Sequence, residues 1–551
     1  MRFKVLLAGL TGLSLAAGAA AQTPVSSPEF SPLSFRSHVA FLADDLLEGR
    51  ESGTRGYDIA AHYVASQFES LGLQPGTPGG WYQPIEFVRY AIGGTPRLVV
   101  NGHSFAHGSE FLLRPSPDPD SLSIAAPLVF AGYGLDLPAR GFDDYEGLDV
   151  AGKIVVVLNG TPSGTPSDVS AHMNAEKARM AADRGAVGML VIRTRSEAER
   201  LSWNRLVSFS DRPGTTWIDG GGHPVASNAL RFNATLDYSA AAAIFQGARR
   251  SLDQVLTDAA RRGSRPDGFA LPGSARLERD GANATRFSSP NVIAVLPGSD
   301  PALAGEYVLL MAHLDGLGVR ESGANEGGDR IRNGAMDNAS GVATLIEVAQ
   351  AMMRSGQRPR RPVLFAAVTA EEVGLLGSEY LARNPVGGGR IVSVVNLDMP
   401  ILTYDFEDVI AFGAEHSTLG PIVARAAAQM NVRLAPDPLP EQGLFTRSDH
   451  YEFVRVGVPS VFLMTGFGGE GRRRFTAFLD LNYHTVSDDL SLPFNWAAGA
   501  KFARLNYLIA REIADEDGVP LWYADSFFSD AVGGRQRRAQ RVSGDGQAAS
   551  R

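Results

Sequence analysis

Several residues that can bind a metal ion or transfer a proton directly follow predicted strands in the second half of the chain. They are His313, Glu371, Glu372 and Asp398. In open α/β sheets, ligands bind at the carboxyl ends of the strands. Each residue also has an ordinary structural role open to it, since a histidine can serve a loop and paired glutamates can begin a helix. Their recurrence after three strands indicates a functional site at one edge of a sheet.

Two more candidate ligands lie in this half of the chain. Asp337 precedes a predicted helix, where it could also be only an N-cap, and His484 lies near the chain end. With His313, Glu372 and Asp398 they offer two imidazoles, three carboxylates and no thiolate, which suits a divalent ion such as zinc. One carboxylate can bridge two ions, which lie about 3.5–4 Å apart in two-metal hydrolases. The set therefore predicts a metal centre.

Two carboxylates beside these ligands can support catalysis. Asp315 lies two residues after His313, so both side chains face the same way along an extended chain. The Asp315 carboxylate can then accept the free ring N–H of His313 and fix its tautomer. Of the neighbouring Glu371 and Glu372, one can bind metal while the other takes a proton from metal-bound water.

The motifs around these residues resemble those of the co-catalytic zinc exopeptidases, a family that includes bacterial leucyl aminopeptidase and the glutamate carboxypeptidases. In chain order they are His313-x-Asp315, residues 334–341, Glu371-Glu372, residues 396–399 and Tyr483-His484-Thr485. The resemblance implies two zinc ions per chain, or other divalent metals in their place. It also implies a peptide substrate.

The resemblance assigns a role to each ligand. Asp337 would bridge the two ions. His313 and Asp398 would complete one metal site, and Glu372 and His484 would complete the other.

The same resemblance makes Glu371 the general base and implies a cis peptide bond between Asp337 and Asn338. One departure from the family pattern is present. Many members have a second histidine after His-x-Asp, whereas Gly316 follows Asp315 here. Because that histidine is not a direct ligand in the family pattern, the departure does not put activity in doubt.

The elements that must position these residues alternate between strands and helices from residue 291 onward. The predicted strands are 291–296, 307–312, 362–369, 393–397, 409–411 and 460–464. The predicted helices are 341–354, 374–384, 419–430 and 496–515. Near-continuous apolar strands that alternate with helices indicate an α/β three-layer sandwich with a largely parallel mixed sheet.

The first half of the chain has a different pattern of apolar and turn-forming residues. Residues 35–71 carry apolar residues at helical spacing, and residues 46–50 resemble the family's N-terminal signature. Residues 81–88 are predicted to form a strand, which Pro84 would place at a sheet edge. From 90 to 288, short β-type runs are separated by Gly, Pro and Asp clusters, which indicates an inserted β-rich domain.

Two segments of this insertion, 130–134 and 149–157, resemble the protease-associated (PA) domain found in many members of the family. The chain is therefore divided into a signal peptide at 1–21, an N-terminal part of the peptidase domain at 22–89, the PA domain at 90–288, the catalytic zinc peptidase domain at 289–516 and a C-terminal extension at 517–551. The extension ends in a basic Gly/Ser/Gln-rich tail, residues 535–551, which we expect to be disordered.

The N-terminal residues have the features of a secretory signal peptide. A charged start with Arg2 and Lys4 precedes an apolar run and an Ala-x-Ala end, with cleavage expected after Ala21. This pattern predicts an exported bacterial protein, periplasmic or secreted. No second stretch is apolar enough to cross a bilayer, so we expect no membrane insertion.

Composition excludes some partners. The formal charge is −9 and no long basic stripe interrupts the sequence, so nucleic acid is not an expected partner. The chain has no cysteine, so its stability must come from core burial rather than disulfides. Its oligomeric state does not follow from the sequence.

The expected function is hydrolysis of terminal peptide bonds, and an aminopeptidase is favoured because a free α-amine needs acidic groups near the metals. A glutamate carboxypeptidase-like enzyme is the alternative, because a terminal carboxylate could be bound by Arg447 or by the run 472–474. This run lies in a Gly-rich segment between Thr465 and Tyr483 that we expect to be a loop. His450 and Arg447 are the candidate substrate contacts. A non-catalytic receptor on the same scaffold is disfavoured, since such proteins lose ligands and all five are present here.

Overall fold

The computed structural model describes residues 28–210, 212–225, 230–320, 328–531 and 537–541. The predicted signal peptide lies outside these residues. Within them the chain forms a ten-stranded sheet, an eight-stranded sheet and a two-stranded ribbon. None of the described helices is long and apolar enough to span a membrane.

The ten-stranded sheet carries the predicted site. In spatial order its strands are Gly214–Trp217, Tyr82–Ala91, Asn283–Leu296, Val363–Val368, Glu306–His313, Arg390–Leu397, Ser460–Thr465, Asp408–Phe412 and Arg433–Ala435, and Gln74–Pro75 pairs with Asn283–Leu296. The four strands from Val363–Val368 to Ser460–Thr465 are parallel, whereas strands on both sides of them are antiparallel. The predicted mixed, largely parallel sheet is therefore present at its centre.

Helices cover both faces of this sheet. Along Glu306–His313, Val308, Leu310 and Ala312 belong to one buried cluster, and Tyr307, Leu309 and Met311 belong to another. The first face packs against the helices Pro32–Leu42, Arg55–Ser70, Ser340–Arg354, Leu419–Ala428 and Trp496–Asp515. The second packs against Leu376–Arg383 and His450–Arg455. Burial on both faces explains why these strands read as continuous apolar runs.

The predicted strands and helices of the second half are all present, with ends that differ by a few residues, except that the strand predicted at 291–296 begins at Asn283. Two expectations were wrong in detail. The strand Tyr82–Ala91 is not at the sheet edge, because Gly214–Trp217 pairs with its residues Phe87 to Tyr90. The Gly-rich segment before His484 is not a loop throughout, because Gly471–Leu481 is a helix.

The eight-stranded sheet is formed between residues 97 and 279. Its strands, in spatial order, are His103–Phe105, Arg97–Val100, Phe269–Arg279, Leu122–Phe130, Ile154–Leu158, Gly188–Ile192, Asn233–Leu236 and Phe111–Leu113. The same stretch contains the helices Ser167–Asp183, Arg195–Arg200, Trp203–Ser210, Tyr238–Ile244 and Leu252–Ala259. The ribbon pairs Asp136–Leu137 with Phe142–Asp143.

The helix Ser167–Asp183 of this inserted region lies against the ten-stranded half of the protein. The His172 ring nitrogen lies 2.6 Å from the Tyr451 hydroxyl, and Glu176 pairs with Arg455 at 3.1 Å. Tyr451 and Arg455 belong to the helix His450–Arg455. The inserted region therefore contacts the helix that begins just after candidate residue Arg447.

Part of the predicted disordered tail is ordered. The backbone of Ala539 bonds to Trp522 and Ala524 at 2.9 Å, and Arg541 pairs with Asp525 at 2.7 Å. Residues 537–541 therefore pack against the segment after Trp496–Asp515, contrary to the expectation. The rest of the tail, apart from these five residues, lies outside the described part of the chain.

Candidate metal centre

His313 is the last residue of the central strand Glu306–His313 and is buried. Its Nε2 atom lies 3.2 Å from Oδ1 of Asp337 and 3.2 Å from Oδ1 of Asp398. Asp398 directly follows the adjacent parallel strand Arg390–Leu397. The strand ends thus bring His313 and Asp398 together at one sheet edge, as predicted.

The second oxygen of Asp337 faces the other histidine. Asp337 Oδ2 lies 3.2 Å from His484 Nε2, and the same nitrogen lies 3.4 Å from Glu372 Oε2. Asp337 therefore presents one oxygen to His313 and the other to His484. This is the arrangement expected of a carboxylate shared by two adjacent ion sites.

These spacings fit zinc ligands. With Zn–N and Zn–O bonds of about 2.0–2.2 Å in a tetrahedral site, two ligand atoms on one ion are about 3.3–3.6 Å apart. The four N···O distances of the cluster are 3.2, 3.2, 3.2 and 3.4 Å. The donor set of two imidazoles and three carboxylates, at these spacings, can hold two ions.

Electrostatics also fits a cation site. Burial, together with the charge of Asp337, raises the pKa of Glu372 well above its usual range. Burial and neighbouring carboxylates do the same to the pKa of Glu371. The pKa of Asp337 is lowered, because hydrogen bonds from His313 and His484 outweigh the effect of its burial. So many carboxylates in one buried place favour the binding of positive charge.

The Asp315 carboxylate has a role different from the predicted one. The His313 Nδ1 atom lies 3.1 Å from the backbone oxygen of Asp315, whereas the nearest Asp315 carboxylate oxygen is 3.9 Å away. The backbone carbonyl can therefore fix the histidine tautomer. The carboxylate accepts the backbone N–H groups of Glu371 and Glu372 at 3.1 and 3.3 Å, and so orients the glutamate pair.

Three polar side chains, whose contacts were not predicted from the sequence, hold the ligand loops in place. Ser448 donates a 2.6 Å hydrogen bond to Asp398 Oδ2. Asn338 follows the cis peptide bond that the resemblance implied, and its side chain donates to the Leu397 carbonyl at 3.0 Å. Asp488 accepts the backbone N–H groups of Met336 and Asp337 at 2.8 and 3.0 Å. Asp488 lies four residues after His484. This closeness to a candidate ligand is a local signal that could have indicated its role.

Arg50, at the end of the N-terminal signature, is buried beneath the site with 1% of its surface exposed. Its guanidinium donates to the carbonyls of Leu314 and Gly334 at 3.0 and 3.1 Å, and also to those of Leu42 and Asn333. It thus joins the loop after His313 to the loop before Asp337. Burial lowers the pKa of Arg50 to about 10, which the charges of Asp488, Asp315 and Asp337 oppose.

The glycine of the N-terminal signature, Gly49, is required by its backbone conformation and by two nearby carbonyl oxygens. Its φ is +70°, and a Cβ atom there would lie 2.6 Å from the Arg332 carbonyl oxygen and 2.8 Å from that of Gly318. Only glycine combines this backbone conformation with so close an approach.

Replacing Arg50 by methionine is expected to destabilise the protein by at least about 3 kcal/mol, because buried carbonyls lose their donors. For a domain of this size, the melting temperature then falls by about 6–12 °C. Calorimetry on the metal-free protein measures the shift. The matched control is Arg55→Gln, at an exposed arginine that begins the next helix, and it should leave the melting temperature unchanged. A shift as small as the control's would show that Arg50 does not hold the loops.

A cavity of about 300 Å³ opens onto the cluster. It is lined by His313, Asp337, Glu371, Glu372, Gly374, Leu375, Asp398, Met399, Arg447, Tyr483 and His484. All five predicted ligands, the predicted base and Arg447 therefore face the same space.

His450 does not line this cavity. It is fully buried, and its ring packs between Phe445 and Phe462 at 5.3 and 5.4 Å. Burial lowers the pKa of His450 to about 3. The prediction that it contacts substrate is therefore not supported by its position. The arginine run is also absent from the lining, since Arg473 and Arg474 pair with Glu470 on the surface helix.

Comparisons with known proteins agree with this site. Residues 291–509 match peptidase family M28, and residues 124–222 match the PA domain. The first range contains all five candidate ligands and Glu371. The second lies within the region that forms the eight-stranded sheet, and it includes Gly214–Trp217, the strand that joins the larger sheet.

The relatives share part of their length with this chain. Probable leucine aminopeptidase 2 of Aspergillus fumigatus is 29% identical over 228 residues, 36% of this chain and 40% of that protein. Probable glutamate carboxypeptidase LAMP1 of Arabidopsis thaliana is 25% identical over 256 residues, 42% of this chain and 33% of that protein. This chain therefore spans less than half the length of these relatives.

Among solved structures, the aminopeptidase from Aneurinibacillus sp. strain AM-1 aligns with a TM-score of 0.48 and 21% identity, over 89% of this chain and 95% of that one. The match to peptidase family M28 contains the cluster of candidate ligands, and the match to the PA domain lies in the inserted region. We conclude that the chain contains a peptidase family M28 domain, residues 291–509, and a PA domain, residues 124–222.

Proposed function

We propose that this protein is a metal-dependent exopeptidase that holds two zinc ions and removes residues from the amino end of peptides. The observation that carries the proposal is the position of Asp337, whose two oxygens each lie 3.2 Å from a different histidine. His313 and Asp398 would hold one ion with Asp337, and Glu372 and His484 would hold the other. Two ions held by these residues would polarise a peptide carbonyl and lower the pKa of an attacking water.

Glu371 is the residue that remains free to act as general base. It lines the cavity, but the close contacts to the histidine nitrogens come from Glu372, Asp337 and Asp398. Its backbone N–H is held by Asp315 at 3.1 Å, which fixes the start of its side chain. We infer that Glu371 takes the proton of the attacking water and passes it to the leaving amine.

The amino end is favoured because Glu371, the lining carboxylate that is not assigned to a metal ion, can attract a free α-amine. The relatives carry names of both kinds, an aminopeptidase and a glutamate carboxypeptidase. A carboxypeptidase is the second candidate, since Arg447 lines the same cavity. The PA domain would limit access to chain ends, a role inferred by analogy with the fold alone.

Hexapeptides blocked at one end test the proposal. With the metal-loaded enzyme, an acetylated amino end should stop cleavage and an amidated carboxyl end should leave it unchanged, as read by mass spectrometry of the products. The reverse pattern would make the protein a carboxypeptidase. Cleavage of a hexapeptide blocked at both ends would show that it is not an exopeptidase.

We also propose that the protein is exported and acts in the periplasm or outside the cell. The signal-peptide pattern at residues 1–21 supports this. N-terminal sequencing of the protein from the extracellular or periplasmic fraction should begin at Gln22.

A further inference from the structure

We propose that Arg447 binds a carboxylate on the substrate residue that leaves, so that dipeptides are the preferred substrates. The inference rests on the exopeptidase function proposed above and names the substrate class of the same cavity. Three points support it: the charges of the residues that line the cavity, the Arg447 guanidinium that is available to a ligand, and the carboxylate at the end of an unmodified peptide.

Three of the four carboxylates that line the cavity are already assigned to the metal ions. Asp337, Glu372 and Asp398 lie at ligand spacing from the two histidines, and Glu371 is the remaining carboxylate of the lining. These four carboxylates balance the charge of two divalent ions. The positive charge of Arg447 then has no counter-ion in the cavity wall.

The Arg447 side chain also has no ion-pair partner among the residues that the structure describes. It is exposed, and within the part of the chain that the structure describes its guanidinium makes no hydrogen bond or ion pair. The other two arginines near the cluster are occupied by backbone carbonyls. Arg50 donates to Leu314 and Gly334, and Arg332 donates to Leu317 and Gly318. Arg447 is thus the arginine that can take up a ligand.

The backbone around Arg447 is held firmly. Its N–H donates to the Leu444 carbonyl at 3.1 Å, and the next residue, Ser448, bonds to the candidate ligand Asp398 at 2.6 Å. The helix Ser167–Asp183 of the inserted region packs on the turn Leu444–Thr446 just before it. A fixed backbone lowers the entropy lost when the side chain captures a ligand.

A planar guanidinium with free donors is matched best by a carboxylate, which it can bind through two parallel hydrogen bonds. In an unmodified peptide, a carboxylate next to the scissile bond has two sources. One is the α-carboxylate of the leaving residue when that residue is the carboxyl terminus, as in every dipeptide. The other is the side chain of an adjacent Asp or Glu. The cavity volume of about 300 Å³ is at the small end of ligand sites, which favours the first source.

Matched dipeptides measure this contact. Wild-type enzyme should cleave Leu-Gly with a kcat/KM about ten- to hundredfold higher than Leu-Gly amide, the range expected of a hydrogen-bonded charge. Arg447→Gln should remove this preference, mainly through a higher KM for Leu-Gly, and the loss on Leu-Gly amide should be much smaller than the loss on Leu-Gly. Arg447→Lys should restore part of it. The control Arg473→Gln, at an exposed arginine bonded to Glu470, should behave as wild type.

A binding measurement separates this contact from catalysis. In the metal-loaded Glu371→Gln background, calorimetry should show tighter binding of Leu-Gly than of its amide, and Arg447→Gln should abolish the difference. Leu-Glu amide identifies the source of the carboxylate, because cleavage as efficient as that of Leu-Gly shows that a side-chain carboxylate also serves.

Equal cleavage of Leu-Gly and its amide by the wild-type enzyme would overturn the role of Arg447, while the exopeptidase function would stand. An equal loss on both substrates in Arg447→Gln would overturn it too, because it would mean a structural effect. Failure of the metal-loaded wild-type enzyme to cleave any peptide would refute the exopeptidase function itself.

Discussion

Replacement of Glu371 by glutamine is expected to lower kcat by about 10²- to 10⁴-fold and to leave the metal content unchanged. The change removes a proton acceptor but keeps the size of the side chain. Glu371 lines the cavity, whereas the close contact to His484 is made by Glu372, at 3.4 Å. Steady-state kinetics on an unblocked peptide and metal analysis of the same sample measure the two quantities together.

The neighbouring residue supplies the matched control. Glu372→Gln carries the same chemical change one position along the chain, and it should lower the metal content by about one ion per chain because it weakens one site. Both residues have the same backbone support, since Asp315 accepts both of their N–H groups. Near-normal turnover in Glu371→Gln would exclude it as the base. Metal loss in Glu371→Gln but not in Glu372→Gln would reverse the two roles.

The sheet and the ligands could be predicted from the sequence because both depend on local signals. A strand buried on both faces must be a continuous apolar run, and the run before His313 is one. The parallel pairing of this strand with the one before Asp398 then follows from the strand–helix alternation. The carboxyl ends of parallel strands share an edge, so a ligand at each end is placed beside its neighbour.

The contacts that orient the ligands could not be predicted, because they join residues far apart in sequence. Arg50 is 264 positions from Leu314, whose carbonyl it contacts, and Asp488 is 151 positions from the Asp337 amide that it holds. Asp315 was expected to orient His313 with its side chain. Spacing alone cannot show that the backbone carbonyl would reach the ring while the carboxylate turned to the glutamate pair.

The expectations for Pro84 and His450 were wrong in whole or in part because each relied on a local sequence feature and not on the packing around it. Pro84 was expected to place its strand at a sheet edge. Among the described residues this holds around the proline, but further along the strand Gly214–Trp217 pairs with residues Phe87 to Tyr90. His450 was expected to contact substrate because the segment 447–451 resembles one that lines the active site of the family. It begins the helix His450–Arg455, and its ring is turned into an aromatic cluster with Phe445 and Phe462.

Replacement of Asp337 by alanine is expected to remove both metal ions and reduce peptide cleavage to background. Each Asp337 oxygen lies 3.2 Å from a different histidine, so the change takes one ligand from each site and the shared negative charge from both. Two zinc ions per chain are expected in the wild-type protein at a free zinc concentration about tenfold above its Kd, and fewer than about 0.2 in Asp337→Ala, if each site loses at least about a hundredfold in affinity. Metal analysis after gel filtration in dilute zinc buffer measures the difference.

The matched control is Asp480→Ala, at an exposed aspartate of the helix Gly471–Leu481, and it should retain two ions. Glu372→Gln should retain about one, because His313, Asp337 and Asp398 still form a complete three-residue site. A metal content of two ions in the wild type, about one in Glu372→Gln and almost none in Asp337→Ala distinguishes a shared carboxylate from two independent sites. If Asp337→Ala kept one full ion, or if the wild-type protein bound one ion or fewer at saturating zinc, Asp337 could not be the bridge between two sites.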